Sequence, residues 1–256
     1  MPKALTANKI TASCVKLCLT LLSLLLISTP LFAGPPYDTD DPQPVDFHHW
    51  EVYCSSIGAK NEGAWMGTAP HFEINYGVVP NMQLHVIAPL SFYSSPEDKT
   101  DYGYGDTEFG TKFRFINKDS GDFQIGVFPL IEIPTGNSTE NPGNGKLQIY
   151  LPLWIQKTFG KLTTYGGGGY WINPGTGNKN YEFFGWQAQY QFVKAVSIGA
   201  ELCYVTASQV GTDNDFRFRI GSIIDFSDNH HLLFSIGRSI AGPTNLQWYI
   251  GYQLTL

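Results

Sequence analysis

The stretch Leu246-Gln247-Trp248-Tyr249-Ile250-Gly251-Tyr252-Gln253-Leu254-Thr255-Leu256 decides the fold. Trp248, Ile250, Tyr252, Leu254 and Leu256 share one parity; Gln247, Tyr249, Gly251, Gln253 and Thr255 share the other. Side chains of an extended chain alternate between two faces, so this segment is a strand with one apolar and one polar side. A terminal strand is an open edge that invites aggregation unless it finds a partner. Pairing with the first strand, which closes a barrel, removes that edge.

The same period runs through the chain. Strands are expected near 47–58, 68–79, 82–93, 104–116, 122–134, 146–157, 162–172, 180–191, 196–206, 214–226, 230–239 and 246–256. Trp50, Val52 and Cys54 oppose His49, Glu51, Tyr53 and Ser55, and Phe72, Ile74, Tyr76 and Val78 oppose His71, Glu73 and Asn75. Phe109, Phe113 and Phe115 oppose Asp106, Glu108, Lys112 and Arg114. Charges keep to one face while large apolar side chains fill the other. A soluble sandwich also alternates. The interior of a small soluble barrel would not hold this many rings, so lipid outside and water inside is the more economical arrangement. The expectation is an all-β, antiparallel, up-and-down transmembrane β-barrel of about twelve strands over residues 47–256, with each strand near the length a tilted span requires.

Connections fit this plan. Val79-Pro80-Asn81, Asn117 to Gly121, Phe159-Gly160-Lys161, Val193-Lys194-Ala195 and Ser227-Asp228-Asn229 are short; Ala59 to Gly67, Ser94 to Gly103 and Thr135 to Gly145 are longer and polar. Short turns at one rim and long loops at the other place both termini on the short-turn side when the strand number is even. The last strand should then lie against the first, with Tyr249, Gly251 and Gln253 beside His49, Glu51 and Tyr53.

Residues 1–33 have the pattern of a secretory signal peptide: Lys3, Lys9 and Lys16, then an apolar run from Leu17 to Ile27, Pro30, and Leu31-Phe32-Ala33 before Gly34. Residues 34–46 are acidic and proline-rich and suit neither a helix nor a strand of the wall. They are expected either to lie free in the periplasm or to fold into the lumen as a small plug against Arg217 and Arg219. Cys54 falls on an outward face and Cys203 on an inward one, which favours two free thiols over a disulfide. The formal net charge of −6 and the absence of a basic tract argue against nucleic acid.

The candidate lumen-lining residues are His49, Glu51, His71, Glu73, His85, Asp106, Glu108, Lys112, Arg114, Glu132, Glu201, Arg217 and Arg219. Opposed charges across a narrow lumen orient a polar solute, or lock the barrel through ion pairs. His49, Glu51, His71, Glu73 and His85 carry metal-ligating groups, but a hydrogen-bonded polar cluster is the simpler reading, and no metal or other cofactor is expected. The asparagine-rich segment 137–144 reads as a solvated turn before it reads as a calcium loop. Tyr165-Gly166-Gly167-Gly168-Gly169-Tyr170 marks a bend in the wall covered by an aromatic ring, or room for a ligand. No Gly-x-Ser-x-Gly elbow occurs, and no outward Ser–His pair on adjacent strands is evident, so an enzyme is not expected.

Two resemblances add to this. Tyr249, Gly251, Leu254 and Leu256 resemble the C-terminal signal read by the bacterial barrel-assembly machinery. Thr39-Asp40-Asp41-Pro42, His49-Trp50-Glu51, Tyr102 to Glu108, Pro134-Thr135-Gly136, Gln156-Lys157 and Tyr165 to Pro174 resemble the outer-membrane transporter family labelled for the MetA pathway of phenol degradation. The resemblance implies a bacterial outer-membrane channel among lipid and lipopolysaccharide, passing small solutes, aromatic or apolar ones included. The alternatives are a lipid-modifying outer-membrane enzyme and a structural barrel with a closed lumen.

Overall fold

The computed structural model describes residues 34–61, 63–96, 100–118, 122–136 and 145–256. The signal-peptide segment and the segment 137–144 lie outside the described residues. Fourteen strand segments form one antiparallel sheet closed on itself. They are β1 (Trp50–Asn61), β2 (Ala64–Val79), β3 (Met82–Ser94), β4 (Asp101–Tyr104), β5 (Thr107–Lys118), β6 (Phe123–Val127), β7 (Leu130–Ile133), β8 (Gln148–Phe159), β9 (Leu162–Ile172), β10 (Tyr181–Val193), β11 (Val196–Val205), β12 (Asp215–Asp225), β13 (His230–Ala241) and β14 (Thr244–Thr255). β4 and β5 both pair with β3, and β6 and β7 both pair with β5 and β8. Each of these two pairs is therefore one interrupted stave, and the barrel has twelve.

Closure comes from β14 against β1, in an unbroken register from Glu51↔Thr255 to Lys60↔Leu246. The Trp50 and Leu256 amides each donate to the other's carbonyl at 2.9 Å. The expected partners of this seam were the right strands in the wrong register. Gln253 faces Tyr53, Gly251 faces Ser55 and Tyr249 faces Ile57, each four residues along β1 from an antiparallel alignment with His49, Glu51 and Tyr53. Period two assigns faces and leaves the slide along the strand open. His49 drops out of the seam altogether. Phe47 bridges Gly77, His48 turns the chain with φ of 66°, and β1 begins only at Trp50.

The faces are inverted relative to a water-soluble barrel. Gln187 is completely buried, while its neighbour Trp186 is 53% exposed on the outside. Leu151, Leu202, Ile220 and Ile250 point outward and exposed; Gln124, Glu201 and Gln253 point inward and buried. Apolar atoms are this exposed only where the surroundings are themselves apolar. Cys54 is exposed and Cys203 buried, and both are free.

The expected long connection Ala59 to Gly67 is mostly strand instead. Lys60 pairs with Trp65 across the hairpin, its ammonium 5.0 Å from the ring, and Trp65 packs against Trp248. The glycine run in β9 pairs without a break with both neighbouring strands and is roofed by rings. Gly167 takes a φ of +154°, and a side chain there would meet the Leu153 carbonyl and the Trp154 ring. Trp186 and Phe184 lie against Gly166 and Gly168 in the same way.

The seam register has a direct check. Cys54 sits opposite Tyr252, a spacing a disulfide can bridge. Tyr252→Cys is expected to form a disulfide with the native Cys54 on mild oxidation, read by mass spectrometry of the peptides. Gly251→Cys and Ile250→Cys are not.

Candidate functional site

The site is the lumen, and its main occupant is the chain's own N-terminal segment, residues 34–46. The strand walls hold it by charge. On one wall, Arg219 of β12 donates to the Pro36 carbonyl at 2.9 Å and to Asp38 at 2.7 Å. Arg217 lies 3.5 Å from Asp38 and 3.6 Å from Asp215. Glu201, directly opposite Arg219 on β11, accepts from the Thr39 amide. On the other wall, Lys112 of β5 donates to Asp40 at 2.8 Å and lies 3.6 Å from Asp41. Amides complete the seat: Gln83 accepts from the Val45 amide, and Gln124 donates to Gln43.

Close approach needs bare backbone beneath the segment. Gly199 and Gly221 are direct cross-strand partners, and a side chain at either would crowd the Tyr37 hydroxyl. Glycine at inward parity on adjacent strands was the signal in the sequence for something packed inside. It could not be read without knowing that the two glycines meet.

The remaining candidates divide. Glu51 accepts from Tyr53 at 2.7 Å, and Glu73 accepts from Asn75 at 2.8 Å. The His85 ring lies 2.6 Å from Asn75 and 3.0 Å from Glu108. Glu108 stands directly opposite Glu132, which accepts from Gln148. His71 contacts the Thr68 hydroxyl at 2.9 Å, and Asp106 accepts from the Gly136 amide. Arg114 turns to the rim and bonds Asn81 and Gln124. His49 is not part of the wall: it is exposed, with its ring against the Phe47 carbonyl. The five-residue metal grouping is therefore not assembled. The histidine and carboxylates that do meet are hydrogen-bonded to one another and to Asn75. Asp38, Glu201 and Cys203 bring donor atoms within 4.8 Å, but Arg219 and Arg217 already compensate Asp38.

Beyond Gln247 and Gln253 of the last strand, the neutral part of the wall was missed from the sequence. Gln83, Gln124, Gln148, Gln156, Gln187, Gln189, Gln247 and Gln253 are all buried at inward positions. Amides donate and accept without carrying charge, so much of the wall is polar rather than ionic. A cavity of about 530 Å³ remains above the segment. Glu73, His85, Glu108, Arg217 and Arg219 line it together with the rings of Phe128, Tyr150, Trp154, Trp171, Tyr181 and Phe183. Tyr150, Trp171 and Tyr181 form a parallel stack there, with centroids 4.7 and 5.7 Å apart.

No protein-family model matches this sequence, and no match is found among curated proteins. Solved structures do match the fold. An outer-membrane channel of Pseudomonas putida F1 superposes with a TM-score of 0.65 at 15% identity, covering 86% of this chain and 100% of that one. The KdgM porin gives 0.55 at 14% identity, covering 79% and 98%. The NanC porin gives 0.54 at 7% identity, covering 81% and 100%. The chain thus has the closed barrel architecture seen in outer-membrane channels and porins.

Two predictions follow from the seat of the segment. Arg219→Leu leaves Glu201 without its buried partner and Asp38 with Arg217 alone, which should cost roughly 3 kcal/mol. It is expected to lower the thermal midpoint and to raise hydrogen exchange in residues 34–46 before the strands. Burial pushes the Asp41 carboxyl up to about 7; Lys112 opposes this, and Asp40 and Glu51 add to it. An acid raised in the seated state stabilises that state while protonated. The contribution is full below the ordinary carboxylate pKa and disappears as pH rises through about 7. Protection of residues 34–46, corrected for intrinsic exchange rates, should therefore be weaker at alkaline than at mildly acidic pH. Asp41→Asn should flatten that dependence.

Proposed function

We propose that this chain is a bacterial outer-membrane channel that passes small solutes, aromatic or apolar ones among them, by passive diffusion. The observation that carries the reading is the inversion itself: a polar lumen enclosed by a closed wall with an apolar outer face. Lipid and lipopolysaccharide would surround that outer face, and Tyr249, Gly251, Leu254 and Leu256 would present the label read by the assembly machinery. Glu51, His71, Glu73, His85, Asp106, Glu108, Lys112, Arg114, Glu132, Glu201, Arg217 and Arg219 form the charged part of the lining. Residues 34–46 act as a plug. Their ion pairs to Lys112, Arg217 and Arg219 support this role. The fold shared with channel and porin structures supports the class, and the resemblance to the phenol-degradation transporter family supports the choice of solutes.

Planar-bilayer recording tests the proposal. The full chain is expected to show a small or intermittent conductance. A chain lacking residues 34–46 should show a larger and steadier one. A barrel that folds without the segment and still conducts nothing would instead be a closed structural barrel.

A further inference from the structure

Two cations meet on the lipid-facing side of the wall, at the rim opposite the chain termini. β1 and β13 both end at this rim, one on each side of β14. Lys60 shares the outward parity of Cys54 and pairs with Leu246 of β14. Arg238 shares the outward parity of Ile236 and follows the last pair between β13 and β14, Gly237↔Gln247. The two therefore flank Leu246 at a separation of two strand spacings, about 10 Å. Arg238 is exposed and, among the described residues, meets no hydrogen-bond or ion-pair partner. Glu182, an acidic residue of outward parity at the same rim, stands on β10, three strands along from β13.

A platform of rings lies beside these cations on the same outer face. Trp248 of β14 lies flat across Gly58 of β1, where a side chain would collide with the indole. Its centroid is 5.7 Å from Trp65 of β2 and 6.4 Å from Phe92 of β3. The Lys60 ammonium stands 5.0 Å from the Trp65 ring and so joins the platform to the charged edge. Backbone pairing is thin at this edge. β13 runs to Ala241 and β14 begins at Thr244, yet their ladder stops at Gly237↔Gln247. On the other side of β14 the register with β1 shifts between Lys60 and Asn61. The two cations stand where the pairing of β14 gives out on both of its sides.

We propose that Lys60 and Arg238 clamp a phosphate group of the outer-leaflet lipopolysaccharide, while Trp65, Trp248 and Phe92 receive its acyl chains. This rests on the outer-membrane reading above. Rings at the rim are favoured at any membrane interface and do not by themselves call for a ligand. The unpaired arginine does. A cation directed at the leaflet lies lowest in energy beside an anion, and a guanidinium matches a phosphate with two parallel hydrogen bonds. Both cations sit on flexible apolar stems, so both can close on one group above Leu246. A free phosphate would gain only these charges, whereas a lipid phosphate brings chains that cover the platform below. The bound lipid would staple β13 to β1 across β14, adding charge where the backbone ladder of the seam is incomplete.

The test is the melting of the barrel in phosphatidylcholine vesicles, with and without a minor fraction of diphosphoryl lipid A, read by heat-modifiable migration. Lipid A should raise the midpoint by about 5 °C. Lys60→Gln with Arg238→Gln should keep the midpoint in phosphatidylcholine alone and lose the lipid A increment. Lipid A retained per barrel in native mass spectrometry should fall about fivefold for each cation removed. Arg238→Lys, which keeps the charge, should retain most of the increment, and Glu182→Gln all of it. Lipid A stripped of its phosphates should give no increment, and neither should inorganic phosphate in solution. A double variant that gains the full increment overturns the clamp, and its insertion into the vesicles leaves the channel reading standing. An equal increment from inorganic phosphate, or from lipid A without phosphates, overturns the assignment of a lipid phosphate. A chain with no heat-modifiable form in any vesicle overturns the outer-membrane reading and the clamp with it.

Discussion

Everything in this molecule depends on pairing backbone amides around a closed ring. A peptide group left unpaired in an apolar medium costs several kcal/mol, so a sheet with an apolar outer face is tolerable only without free edges. The β1–β14 seam supplies the missing pairs, down to the reciprocal bonds of Trp50 and Leu256. Once the ring is shut, the alternation of side chains does the rest. One parity must face outward and be greasy, and the other must face a narrow interior in which polar groups satisfy one another.

That interior is not an empty pipe. Buried charges are costly unless compensated, and the inward Lys112, Arg217 and Arg219 find much of their compensation in Asp38, Asp40 and Asp41 of the N-terminal segment. The glutamines fill the rest of the wall with groups that can donate or accept. The segment and the lumen are thus complementary in charge and in shape. Tyr37 rests on the bare backbone of Gly199 and Gly221.

Much of this was legible in advance, and the misses share a cause. Strand existence and the parity of the candidate residues come from period two, which is a local property, and the partner of the last strand follows from an even strand number. The slide of β14 along β1, the loss of His49 from the wall and the extension of strand through Ala59 to Gly67 depend on which residues meet across strands. Parity cannot encode that. The inward glutamines could have been found by parity too; attention to charge passed over them.

The sequence by itself determined a closed, two-faced barrel, because alternation repeated over twelve staves has no other economical arrangement. Only the tertiary structure decided what the lumen contains. The ion pairs join residues up to 181 positions apart. Such juxtapositions exist only after register is set, and register is set by the whole ring at once.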